Sequence, residues 1–214
     1  MHQTVLFDLD GTLTDPGEGI TNSVVYALKK YGIKVSDQRE LYKFIGPPLH
    51  ESFQVFYGFS EEQAQEAVEF YREYYRETGI FENKVYDGIK DTLDRLKKSG
   101  RKLIVATSKP EIFAKEILEH FYLEEYFSFV AGANLDGTRT RKNEVIFYAL
   151  ESCQIREYSE VIMVGDREHD ILGAARLGID AIGVLYGYGS KKELRDAGAV
   201  ALAEHPQDIC SLII

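Results

Sequence analysis

Short runs of apolar, often β-branched residues alternate along the chain with longer stretches whose apolar positions recur every three or four residues. The first run is Thr4 to Leu9. Others cover Lys102 to Thr107, Phe127 to Gly132, Val161 to Gly165 and Ala181 to Leu185, with Ala199 to Ala203 as an edge strand. Helical patterns lie between them at Asp87 to Ser99, Glu111 to Phe121, Lys142 to Cys153, His169 to Leu177 and Lys191 to Ala197. This spacing predicts an α/β fold in which a doubly wound parallel sheet carries helices on its faces.

The first interval breaks that rhythm. About ninety residues separate Leu9 from Lys102, far more than one crossover needs. Within it Gly19 to Tyr31, Leu49 to Tyr57 and Ser60 to Glu77 read as amphipathic helices, with no strand signal among them. Ser60-Glu61-Glu62-Gln63 has the pattern of a capping box opening the longest. The expectation is an all-helical second domain over 16–85, inserted into an α/β core made of 1–15 and 86–214. Its crossings lie near Asp15-Pro16-Gly17 and Gly79 to Lys84, the places for hinges.

Composition narrows the picture. With 214 residues, 44% hydrophobic and 12% aromatic, the chain can bury a core without disulfides. Its formal charge of -10 argues against nucleic acid or an anionic membrane surface as a partner. An anionic substrate would need a local basic patch or a bound cation. Cys153 and Cys210 lie far apart and outside any C-x-x-C, so a reducing compartment is expected. The start, already acidic at Asp8, lacks the form of a signal peptide, and no run has the roughly 18 apolar residues of a membrane span. A cytoplasmic protein, monomer or weak homodimer, is the expectation.

The strongest chemical signal is Phe7-Asp8-Leu9-Asp10-Gly11-Thr12-Leu13-Thr14-Asp15. Side chains two apart on a strand share a face, so Asp8 and Asp10 point together at a strand's carboxyl end, where parallel sheets bind ligands. Two such carboxylates repel unless a cation joins them, and hard oxygen ligands suit Mg²⁺. Asp-Gly is also ordinary turn chemistry. The second Leu-Asp-Gly-Thr, at Leu135 to Thr138, lacks the paired carboxylate and reads as a turn. Val161 to Asp170 ends an apolar strand in Gly165-Asp166, with Asp170 one helical turn later. Asp166 can supply a further carboxylate or serve as a helix cap, and Asp170 can hold a metal-bound water. Thr107 and Ser108 place hydroxyls at another strand end, as phosphate donors or local caps. Thr138-Arg139-Thr140-Arg141-Lys142 is a compact basic cluster, and a lysine opening a helix opposes the helix dipole.

Phe-Asp-Leu-Asp-Gly-Thr-Leu, a Thr107 strand end, Lys142 and Gly-Asp-x-x-x-Asp in that order resemble the haloacid dehalogenase superfamily. The likeness is to its phosphatase branch with a helical cap inserted after the first strand of a Rossmann-like core. Phe44-Ile45-Gly46-Pro47-Pro48-Leu49 and Tyr186-Gly187-Tyr188-Gly189 are similar to phosphoglycolate-phosphatase-like proteins. The resemblance implies Asp8 as the nucleophile that forms an aspartyl-phosphate, and Asp10 as general acid and then base. It implies Mg²⁺ on the Asp8 carboxylate, the Asp10 backbone carbonyl and Asp166, with Asp170 behind. Thr107, Ser108 and Lys142 would bind the phosphoryl group, and Gly46, Pro47 and Pro48 in the cap would set substrate selectivity. Ser108, often Asn in phosphoglycolate phosphatases, and the Thr-Arg-Thr-Arg before Lys142 depart from that pattern.

The expected function is therefore Mg²⁺-dependent hydrolysis of a small phosphorylated metabolite. A 5′-nucleotidase is the alternative among enzymes, and a phospho-accepting or phosphate-binding regulatory domain the alternative outside them. Arg139 and Arg141 are expected as solvated or rim residues, Lys84 as a hinge lysine, His169 at the surface, and Tyr71, Tyr74 and Tyr75 in helical packing.

Overall fold

The computed structural model describes residues 2–213. In chain order its strands are β1 (Thr4–Phe7), the two-residue β2 (Thr14–Asp15) and β3 (Lys84–Val85), then β4 (Lys102–Pro110), β5 (Phe129–Ala133), β6 (Val161–Gly165), β7 (Asp180–Val184) and β8 (Ala201–Ala203). The helices are α1 (Gly17–Lys30), α2 (Leu49–Tyr57), α3 (Glu61–Tyr74), α4 (Ile89–Lys98), α5 (Glu111–His120), α6 (Lys142–Ser152), α7 (Glu168–Ala175), α8 (Lys191–Asp196) and α9 (Asp208–Ile213). Six strands form one sheet in the order β5-β4-β1-β6-β7-β8, every pair parallel. The chain winds outward from β1 to one edge, then returns to β1 and winds to the other. That reversal puts the switch point at β1, where a ligand crevice opens in such sheets.

β1 is apolar on both faces, and Val5, Leu6 and Phe7 are fully buried. Leu6, Ile104, Ala106 and Met163 meet Val145, Ile146 and Ala149 of α6 and Ile171 and Ala174 of α7 in a single apolar cluster. That packing fixes the helices whose first turns carry Lys142 and Asp170.

Two compact units result: Asp15–Lys84, and the residues up to Thr14 together with those from Val85 onward. Each crossing falls one residue before the 16–85 read from sequence, and β2 pairs with β3 there. Two-residue strands are too short to leave a periodic signal. Met1 and Ile214, the ends of the expected core, lie outside the described residues. Inside the helical unit Ser60 Oγ accepts the Gln63 N–H at 3.2 Å and Gln63 Oε1 accepts that of Ser60 at 3.0 Å, so the capping box forms. The expected helix to Glu77 stops being regular at Tyr74. A wider turn, Tyr75–Gly79, follows, and a Cβ on Gly19 of α1 would stand 1.9 Å from the Gly79 carbonyl oxygen. The 3₁₀ segment Gln38–Phe44 and α9 have no counterpart in the sequence reading.

Candidate active site

Asp8 is the first residue beyond the paired register of β1, where Phe7 lies opposite Val105 on one side and Val164 on the other. Its N–H donates to the Val164 carbonyl at 2.9 Å, which ties it to the end of β6. The chain then folds around the Leu9 carbonyl, which accepts the N–H groups of Thr12, Leu13 and Thr14 at 3.2, 2.9 and 3.0 Å. Gly11 makes this possible with φ of 84°. A Cβ there would stand 2.2 Å from Asp166 Oδ2. The turn reading and the site reading of Asp-Gly thus coincide, because the turn carries the carboxylates.

Lys142 opens α6 and is buried. Its Nζ lies 2.8 Å from Asp8 Oδ1 and 2.7 Å from Asp170 Oδ1, and donates to the Ala106 carbonyl at 3.1 Å. The ammonium thus stands between two carboxylates, with which it forms ion pairs, and one backbone carbonyl. Burial works against its charge, but the carboxylates of Asp170 and Asp8 outweigh burial and raise its pKa. The adverse helix dipole is overcome in the same way.

Asp166 follows β6. Its Oδ2 accepts the Tyr188 N–H at 2.8 Å, and Thr12 Oγ1 stands 3.5 Å from its Oδ1. Burial pushes its carboxyl well above the usual range, and the charges of Asp170 and Asp8 push it further. Asp170 Oδ2 accepts the Arg167 N–H at 3.1 Å, closing the first turn of α7. Its pKa is raised as well, burial outweighing the attraction of Lys142. Asp8, Asp166 and Asp170 each bring an oxygen within 4.8 Å of the others. Three buried carboxylates face one ammonium, so the group is short of positive charge. Clustered hard oxygen donors in that state fit a divalent cation such as Mg²⁺ or Mn²⁺. The sequence reading set Asp170 a step behind the cation; here its carboxylate stands in the same group as the other two.

Asp10 is outside that group. Its Oδ2 pairs with Lys109 Nζ at 2.6 Å, and both side chains are buried. Burial raises the Asp10 pKa despite the opposing pull of the Lys109 ammonium. Thr107 is buried on neighbouring β4, where its Oγ1 accepts the Lys109 N–H at 3.2 Å, while Ser108 is half-buried. Lys109 escaped the sequence reading. The two-residue step that paired Asp8 with Asp10 also pairs Thr107 with Lys109, so the signal was present.

Tyr186 to Gly189 proves to be a clamp. The Tyr186 hydroxyl donates to the Thr12 carbonyl at 3.0 Å, and a Cβ on Gly189 would stand 1.9 Å from the Asp166 carbonyl oxygen. Gly46, Pro47 and Pro48 belong to the other unit, where they lead into α2, and Gly46 has φ of 105°. Tyr71 and Tyr75 are buried there and stack on each other with ring centroids 5.3 Å apart, while Tyr74 is half-buried. Lys84 lies 3.2 Å from Asp15. His169 and Arg141 are exposed. Arg139 departs from the rim position expected of it. Its Nε donates to the Gly132 carbonyl at 2.8 Å and its guanidinium lies 3.7 Å from the centre of the Tyr148 ring, so it braces its loop. Asp136 accepts from the N–H and hydroxyl of Thr138, which makes the second Leu-Asp-Gly-Thr a turn.

Residues 5–184 match the haloacid dehalogenase-like hydrolase family. A 5′-nucleotidase of Pseudomonas aeruginosa is 52% identical over 91% of this chain and 87% of its own length. The tyrosine-protein kinase PtkA of Mycobacterium tuberculosis is 41% identical over 98% of the chain and 71% of its own. A phosphoglycolate phosphatase of Vibrio parahaemolyticus is 25% identical over 98% and 95%. Among solved structures, a predicted phosphatase from Clostridium acetobutylicum is 50% identical, covers 100% of this chain and 98% of its own, and superposes with a TM-score of 0.97. The chain belongs to the haloacid dehalogenase-like hydrolases and is a phosphatase of that family.

Proposed function

We propose that the protein is a Mg²⁺-dependent phosphomonoesterase whose substrates are nucleoside 5′-monophosphates. Phosphatases of this family depend on a metal. The observation that carries the reaction is the buried group of Asp8, Asp166, Asp170 and Lys142, with Asp10 beside it but held apart by Lys109. Asp8 is the nucleophile, and Lys142 steadies its carboxylate and then the phosphoryl oxygens that arrive beside it. Asp10 gives a proton to the leaving oxygen and takes one from the water that releases phosphate. Thr107 and Ser108 offer donors at the adjacent strand end. Asp8, Asp166 and the Asp10 carbonyl, with Asp170 beside them, would hold Mg²⁺, which lowers the repulsion between nucleophile and phosphate when bound.

One observation favours a nucleotide over a small acid: the 5′-nucleotidase shares about twice the identity with this chain that the phosphoglycolate phosphatase does, 52% against 25%.

The test is a panel of nucleoside monophosphates, phosphoglycolate and sugar phosphates at fixed Mg²⁺, ranked by kcat/KM. Nucleoside monophosphates should lead by at least about tenfold, the size of one well-placed recognition contact. A lead for phosphoglycolate restores the small-acid reading. Transfer of phosphate to protein tyrosine, without hydrolysis of any ester, would remove the phosphatase reading itself.

A further inference from the structure

Strand β4 continues past Thr107 to Pro110, and its pairing with β5 shifts register between Ala106 and Pro110. Such an irregularity re-aims the side chains at a strand end. Lys109 is consequently buried, its Nζ on Asp10 Oδ2 at 2.6 Å and its own N–H on the Thr107 hydroxyl. The other oxygen of Asp10, Oδ1, is buried and has no hydrogen-bond partner among the described residues. One oxygen of the carboxyl is therefore anchored while the other is open. A buried ion pair contributes little to stability over an apolar pair of the same volume, so stability gives no reason to keep a lysine here. Fixing the plane of a short, two-oxygen side chain does.

We propose that Lys109 is a positioning residue: it holds Asp10 by Oδ2 and so makes Oδ1 the oxygen that exchanges the proton. The inference rests on the phosphatase reading, in which Asp10 is the general acid. In the first half-reaction the bond from Asp8 to phosphorus forms as the bond to the leaving oxygen breaks, and that oxygen takes the proton from Oδ1. In the second, water attacks phosphorus, its proton passes to Oδ1, and the bond to Asp8 breaks. Lys109 keeps its own protons throughout.

The test uses the dependence on leaving group. Adenosine 5′-monophosphate and glycerol 2-phosphate release alkoxides that must be protonated, whereas 4-nitrophenyl phosphate releases a phenolate that need not be. Steady-state kinetics are measured with Mg²⁺ for the wild type, Lys109→Met, Lys109→Gln, Asp10→Asn and the double variant Asp10→Asn with Lys109→Met. We expect Lys109→Met to lower kcat/KM, which reports the first half-reaction, on the alkyl esters by about 30- to 100-fold, within the range of general-acid effects. Its loss in kcat/KM on the aryl ester should be at least about tenfold smaller, because the release of phosphate from Asp8, common to both classes, does not enter that constant. In the Asp10→Asn background Lys109→Met should add nothing, as residues acting through one group are not additive. Equal losses of kcat/KM on both ester classes, or an undiminished effect in that background, overturn the proposal. Should Lys109→Met not fold, Lys109→Gln carries the comparison; if neither folds, the pair is a structural strut and the proposal is wrong. A wild type that hydrolyses no ester removes the phosphatase reading and this one together, whereas active wild type with a flat ratio removes this one alone.

Discussion

Gly187 lies so close to Asp166 that a Cβ on the glycine would stand 2.4 Å from the Cβ of the aspartate. The same atom would be 2.3 Å from the Gly11 carbonyl oxygen. The clamp between Tyr186 and Gly189 thus holds two loops of the site together through a position that admits no side chain. Gly187→Ala should cost about 1–3 kcal/mol, the usual range for overpacking. It should also displace Asp166, so the rise in thermal midpoint on adding Mg²⁺ should shrink. Scanning calorimetry with and without the cation checks both; an unchanged midpoint and an unchanged rise would show that the loops yield freely.

Asp8→Asn keeps the shape of the side chain and removes its nucleophilic charge. Turnover should drop by at least about a thousandfold. Far-UV circular dichroism should stay the same, because the substitution also relieves crowding among three carboxylates. Retention of more than roughly a tenth of wild-type turnover would falsify the nucleophile assignment.

Lys142→Met leaves Asp8 and Asp170 without their shared counter-charge. Removing one partner of a buried ion pair costs about 3–5 kcal/mol, and added Mg²⁺ should recover part of that by supplying positive charge. Activity should fall alike on every phosphate ester, since the lysine addresses the group they share. Changes at Gly46, Pro47 or Pro48 should instead redistribute kcat/KM among metabolites while turnover of an aryl phosphate survives. If the cap variants lose all substrates equally and Lys142→Met is selective, this division of labour is wrong.

The raised carboxyls of Asp166 and Asp170 have a consequence for pH, burial being the main cause in each. A carboxyl with a folded pKa above its unfolded value binds more protons in the native state. Its stabilising contribution is complete below the ordinary carboxylate pKa and disappears as pH rises through the raised value. A cation needs the deprotonated forms, so its contribution grows over the same window. The Mg²⁺-induced rise in thermal midpoint should therefore be larger at about pH 8 than at about pH 5. An equal or opposite trend would count against these two carboxylates as its ligands.

Much of the architecture is written in local pattern. The extent of β6 and of α2, the helical insertion and the capping box at Ser60 follow from periodicity and turn chemistry, which act over a few residues. Asp8 and Asp10 were visible together because a strand repeats every two residues. The same local rules miss β2 and β3, whose two residues each are too short to show a period.

What tertiary structure alone decides is which charges meet. Asp8, Lys142 and Asp170 are distant in sequence and converge because β1 lies between β4 and β6, with α6 and α7 packed on one apolar cluster. The family resemblance gave Asp10 a role apart from the other carboxylates, but nothing in the sequence reading named the side chain that holds it. Lys109 does so, at the end of β4 where the register shifts. Nor could sequence show that Gly187 and Gly189 exist to let a backbone approach Asp166, because a glycine's purpose lies in the atom that would collide with its missing side chain. Local propensity selects the elements; long-range packing selects their neighbours, and the chemistry of this site is a property of neighbours.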